Sequence, residues 1–155
     1  MAWHLRFRSI AVVLTAVTGW LPESAWASGN ILPNAYAWSE NAGWINFTPN
    51  TGPGVSVGDS SVSGYAWSEN FGWISFAPIA GGVFNHGGTL SGYAWGVNAG
   101  WINFSPVVGG VSIDASGQFV GWAWGENIGW INFATQSPVI TTWIPSDLIF
   151  ANGFE

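Results

Sequence analysis

Three glutamates recur at one place in a repeated motif: Glu40, Glu69 and Glu126. Paired carboxylates are the machinery of glycoside hydrolysis, one acting as acid and one as base or nucleophile. That chemistry needs two different environments that push the two pKa values apart. These three acids share one turn position, and the third copy of the motif has Val97 there. The carboxylate is therefore not demanded by the fold, and it reads as a solvated turn residue or as part of a binding site. His86 is a weaker start still. It is the one histidine after His4 and lies in the loop Asn85-His86-Gly87-Gly88. A catalytic base needs a nucleophile or carboxylate fixed beside it. Without cysteine, a single imidazole leaves too few ligands for zinc. No catalytic residue, metal site or cofactor is expected, and a glycoside-acting enzyme is only a remote alternative.

Binding chemistry fits better. Asn41, Asn70, Asn98 and Asn127 follow in all four copies. Each can serve an Asx turn that bonds its own backbone, or its amide can read sugar hydroxyls. Trp44, Trp73, Trp101 and Trp130 stand beside the turn glycine. An indole bordered by small polar groups can stack on a sugar ring or wall a cage for a quaternary ammonium. The competing reading is packing between repeats, since repeat proteins bury a face against their neighbours. Together these tryptophans, asparagines and glutamates form the candidate site for a carbohydrate or a small cationic ligand.

The motif that positions them reads Gly64-Tyr65-Ala66-Trp67-Ser68-Glu69-Asn70-Phe71-Gly72-Trp73-Ile74-Ser75-Phe76 in its second copy, and its first tryptophan recurs at 38, 67, 95 and 124. Spacings of 29, 28 and 29 residues mark a tandem repeat. Aromatic and β-branched arms around Glu-Asn-x-Gly predict a β-hairpin, with Gly43, Gly72, Gly100 and Gly129 at positive φ. A four-residue loop would pair Ser68 with Trp73 and Tyr65 with Phe76. That register predicts a core of Tyr36, Trp38, Ile45, Phe47, Tyr65, Trp67, Ile74, Phe76, Tyr93, Trp95, Ile102, Phe104, Trp122, Trp124, Ile131 and Phe133, with the second tryptophan on the opposite face.

Val55-Ser56-Val57, Val83-Phe84 and Val111-Ser112-Ile113 read as a third strand before each later hairpin, giving about eleven or twelve short strands. In this register Val62, Leu90 and Phe119 fall on the wrong face. Either Gly64, Gly92 and Gly121 mark bulges that flip the phase, or both faces are partly buried. No window carries helical periodicity. The expectation is an all-β protein of four three-stranded repeats, forming a compact barrel-like meander or a short β-solenoid. A propeller blade would need about 40 residues. Val139 to Ile144 reads as a last strand that caps or closes the array.

Residues 1–27 read as a cleaved secretory signal peptide: Arg6 and Arg8, an apolar run from Ser9 to Leu21, then Ala25-Trp26-Ala27. The run is short of the ~20 residues that cross a bilayer. Residues 28–144 would form the repeat domain and 145–155 a tail. Both basic residues precede residue 28 and seven of the eight acids follow it. Nucleic acid and anionic lipid are thus poor partners for the mature chain. The chain has no cysteine, so neither disulfides nor a lipidated cysteine is available. Asn46-Phe47-Thr48 and Asn103-Phe104-Ser105 match the N-glycosylation pattern.

The unit G-Y-A-W-x-E-N-x-G-W-I-x-F resembles a repeat of uncharacterised secreted or surface proteins of bacteria. The ending Asp147-Leu148-Ile149-Phe150-Ala151-Asn152-Gly153-Phe154-Glu155 is similar to short tails on exported proteobacterial proteins, which implies a sorting or processing tag. The resemblance implies export to the periplasm or the cell exterior, and it brings no activity. The expected function is a non-catalytic, lectin-like binding module with repeated sites. The alternative is a structural surface or matrix protein that self-associates.

Overall fold

The computed structural model describes residues 30–145; the expected signal segment 1–27 and all of the expected tail except Pro145 lie outside them. The described chain is all β, with eleven strands. They are β1 (Tyr36–Ser39), β2 (Gly43–Asn46), β3 (Val55–Val57), β4 (Ser61–Ser68), β5 (Gly72–Ser75), β6 (Gly82–His86), β7 (Thr89–Gly96), β8 (Gly100–Asn103), β9 (Gly110–Ile113), β10 (Phe119–Gly125) and β11 (Gly129–Asn132). Eight of them, β1, β2, β4, β5, β7, β8, β10 and β11, close into an antiparallel barrel through the pairing of β11 with β1. Closure removes the sheet edges that a chain without lysine could not guard by charge. The barrel, and not the solenoid, is the architecture.

Each repeat contributes one hairpin to the barrel wall, and its register differs from the expected one by a single residue. Ser68 pairs with Gly72, Trp67 with Trp73, Ala66 with Ile74 and Tyr65 with Ser75. The other three hairpins repeat this pattern. The loop is therefore three residues, Glu69-Asn70-Phe71, and the glycine after it belongs to the ladder. Gly43, Gly72, Gly100 and Gly129 have φ of 71°, 80°, 73° and 70°, as expected. A three-residue loop closed by a left-handed glycine is a favoured hairpin connection.

A one-residue slip exchanges the two faces of a strand. Half of the expected core is therefore corrected: Ile45, Ile74, Ile102 and Ile131 with Phe47, Phe76, Phe104 and Phe133 are buried, while Tyr36, Tyr65, Tyr93, Trp122 and the first tryptophans Trp38, Trp67, Trp95 and Trp124 face outward. Ala37, Ala66, Ala94 and Ala123 take their place inside, opposite the isoleucines. Volume explains the choice. An eight-stranded barrel is just wide enough to be filled by side chains, and eight more large rings would overfill it. The four phenylalanines meet in a ring on the axis, with neighbouring centroids at 5.5, 5.4, 6.0 and 5.7 Å. The space left between them and the isoleucines is about 10 Å³, so this is a packed core and not a channel.

The corrected register also removes the parity problem. In β4, Val62, Ala66 and Ser68 are buried on one continuous phase, so no flip occurs and both faces need not be buried. Gly64 still has a special task. Its φ is +85°, and a Cβ there would overlap the carbonyl oxygen of Gly54. The long strands β4, β7 and β10 run beyond the hairpin wall, where β3, β6 and β9 pair with them. Val57, Val62, Val83, Leu90, Val111, Ile113 and Phe119 extend the core there. The remaining gap is filled by the two ends of the described chain, through bridges of Ile31 with Thr141 and Gln118 with Ile140. The segment expected as a closing strand does close the array, as bridges and not as a full strand.

Candidate functional site

The outward face of each hairpin carries its two tryptophans directly opposite each other. The ring centroids are 4.8 Å apart for Trp38–Trp44, 4.9 Å for Trp67–Trp73, 4.8 Å for Trp95–Trp101 and 5.0 Å for Trp124–Trp130. Interplanar angles of 57° to 69° make each pair a corner rather than a flat platform. A tyrosine or Trp122 stands edge-on to the second tryptophan in every copy. Edge-to-face geometry suits the ring quadrupoles, and such a pair adds ~0.5–1.5 kcal/mol beyond its buried area.

These pairs border the junctions between repeats, where the ladder has only two register pairs, as in Ile45↔Ser68 and Asn46↔Trp67. At the β2–β4 junction a groove of about 750 Å³ is lined by Tyr36, Trp38, Trp44 and Asn46 of the first repeat, Trp67, Glu69 and Asn70 of the second, and Ser137. The β11–β1 junction repeats the plan in about 600 Å³, with Trp124, Trp130 and Asn132 facing Trp38, Glu40 and Asn41. A smaller groove at β8–β10 is bordered by Tyr93, Trp101 and Glu126. Each groove thus joins the second tryptophan of one repeat to the glutamate of the next. The β5–β7 junction has the tryptophan, Trp73, but an exposed Val97 where the acid would be.

The second tryptophans are partly exposed. Trp44 leads at 52 %, Trp130 and Trp73 follow at 40 % and 39 %, and Trp101 is half-buried. Inter-repeat packing accounts for the difference. Gly52, Gly81 and Gly109 of the connecting loops lie against the benzo edges of Trp73, Trp101 and Trp130, so closely that a Cβ would come within 2.9, 2.9 and 3.4 Å. Among the described residues, the segment after β11 has no glycine to lie beside Trp44. Trp73, Trp101 and Trp130 thus each have one edge packed by a loop, as the packing reading expects, and their remaining surface faces outward.

The four asparagines do something that neither reading anticipated. Their amides donate across the repeat boundary to carbonyls of the neighbouring turn. Asn70 reaches Ala42 at 3.2 Å, Asn98 reaches Phe71 at 3.3 Å, Asn127 reaches Asn98 at 3.1 Å, and Asn41 closes the circle on Ile128 at 3.4 Å. Ser39 and Ser68 reinforce two of these links from the buried side. This ring ties the four turns at one end of the barrel without charge. Asn46, Asn103 and Asn132 are also occupied: each Oδ1 accepts the N–H two residues on, at 2.8 to 2.9 Å. The two glycosylation-type motifs thus hold turn-forming asparagines.

Glu40, Glu69 and Glu126 are exposed. Glu126 is tethered, its Oε2 accepting the Trp101 N–H at 3.0 Å. His86 is exposed as well, with Nε2 3.1 Å from the Ser91 hydroxyl. The Asp114 carboxyl is held below its usual range, chiefly by the Ser116 hydroxyl, and it organises the β9–β10 turn rather than a site. Among the described residues no group of three or more acids and histidines is placed to hold a metal ion. Sequence reasoning missed the first tryptophan and the preceding tyrosine as groove residues, because the one-residue register error had placed them inside. Compared with known proteins, the chain matches no family model, no curated protein and no solved structure.

Proposed function

We propose that this protein is an exported, non-catalytic binding module whose ligands sit in the grooves between repeats. The observation that carries the reading is the Trp44 groove. Its tryptophan corner is half open to solvent, while the barrel core is complete without any of the eight paired indoles. Exposed aromatic surface of this extent on a folded protein marks an interaction site. Near-equivalent grooves around one barrel suit multivalent capture, in which several weak sites raise avidity together. The ligand is a carbohydrate or a small cation. Support for a non-catalytic role comes from the glutamates, which share one repeated turn position and are all exposed.

Intrinsic tryptophan fluorescence tests this reading, because the reporters line the grooves. Titration with a panel of neutral oligosaccharides and ammonium compounds should give saturable quenching by at least one class. A silent panel would count against a binding module. The second reading, a self-associating surface protein, is favoured by Ile79, Val107 and Val108, which stand fully or largely exposed on two connecting loops. It predicts assembly that rises with protein concentration in sedimentation velocity without any ligand.

A further inference from the structure

We propose that the three grooves bordered by a glutamate are sites for a quaternary ammonium group and that the β5–β7 junction is not. This rests on the grooves being binding sites, and it names what they bind. A sugar ring needs a flat aromatic face and free polar groups around its rim. The β2–β4 groove offers a corner in place of an open face, and few free polar groups. Trp38 and Trp44 meet at 68°, and each amide beside them has one end engaged: the Asn70 N–H on the Ala42 carbonyl and the Asn46 Oδ1 on the Thr48 N–H. What remains is a corner of π faces with Glu69 on its rim.

That combination suits a rounded, weakly hydrated cation. Ring faces carry negative quadrupole potential, and cages of such faces recognise trimethylammonium groups. The carboxylate adds a full charge of the right sign. Residues 30–145 contain no Lys or Arg, so no such cation competes among the described residues. An aromatic corner and an acid recur with Trp124, Trp130 and Glu40, and with Tyr93, Trp101 and Glu126, the last bonded to the Trp101 N–H. At β5–β7 the corner of Trp67 and Trp73 persists, but Val97 replaces the acid. The protein therefore carries its own control for the charge.

The test is calorimetric and fluorescence titration of the full chain with choline chloride, its uncharged isostere 3,3-dimethylbutanol and a neutral oligosaccharide. Choline should bind at up to three sites, and the isostere should bind about tenfold or more weakly. Added salt should weaken choline binding at these exposed sites. Glu69→Gln should weaken one site, and Val97→Glu should raise the stoichiometry by one; both side chains are exposed, so both variants should fold. Equal binding of choline and the isostere would overturn the proposal, as would a stoichiometry indifferent to both substitutions. Saturable sugar binding without choline binding would overturn it and leave the binding-module reading standing. Binding of none of the three probes would remove both.

Discussion

Trp44 and Ile45 are neighbours in the chain and opposites in the barrel. Ile45 is 2 % exposed on the axis, whereas Trp44 is half open on the outer wall. Ile45→Ala should therefore cost about 2–5 kcal/mol, the range for emptying a buried aliphatic site. Urea unfolding measures it directly. Gly64 is the second residue whose identity is forced. Ala at this position would have to hold positive φ and displace the Gly54 backbone at once. Gly64→Ala should destabilise by more than the ~1 kcal/mol scale of ordinary glycine substitutions, whereas Gly87→Ala, at a positive φ but with nothing within 4 Å of a Cβ, should cost less. Equal melting temperatures for the two would contradict the close approach of β3 to β4.

At the scale of elements, the hairpins were legible because their turn chemistry is local. Glu-Asn-x-Gly between aromatic arms fixes a turn, and the positive φ of the four glycines followed from it. The faces were not legible, because they hang on whether Gly72 belongs to the loop or to the ladder. That choice is made by barrel volume, which no single repeat contains. The asparagine ring escaped for a similar reason: the acceptor of Asn70 lies 28 residues away in the preceding turn. Of the groove lining, the second tryptophans, the acids, Asn41 and Asn70 were legible in the motif, whereas the first tryptophans and the tyrosines were not. Asn70→Ala should remove one inter-repeat bond and cost about 1 kcal/mol, seen as a small fall in the urea midpoint with an unchanged slope. Asn70→Asp should do no better, since a carboxylate cannot donate to the Ala42 carbonyl.

At the scale of the whole barrel, closure takes the place of salt bridges among the described residues, which hold no Lys or Arg. The two ends of the described chain complete the ring. Val139 is fully buried, its carbonyl accepts the Phe119 N–H at 2.8 Å, and Thr141 bonds to Gly117 at 2.8 Å. Asn30 spans the same seam, bonding the backbone of Val57 at 2.7 and 2.8 Å. A chain ending at Ser137 should lose more than ~3 kcal/mol, combining the burial of Val139 with several backbone bonds. A truncated protein with the melting temperature of the full chain would contradict closure by Val139 to Thr141.

The central claim is that the outer tryptophans serve recognition and not folding. The most direct measurement is the melting curve of Trp44→Ala taken beside its ligand titration, using whichever probe the intact protein binds. The lost edge-to-face pair and partial burial predict a cost of about 1–2 kcal/mol, a fall of roughly 5 °C per kcal/mol. The account predicts that the variant still melts cooperatively near this value while the binding stoichiometry drops by one. A variant that unfolds as severely as Ile45→Ala, or one that folds and binds with full stoichiometry, would contradict it.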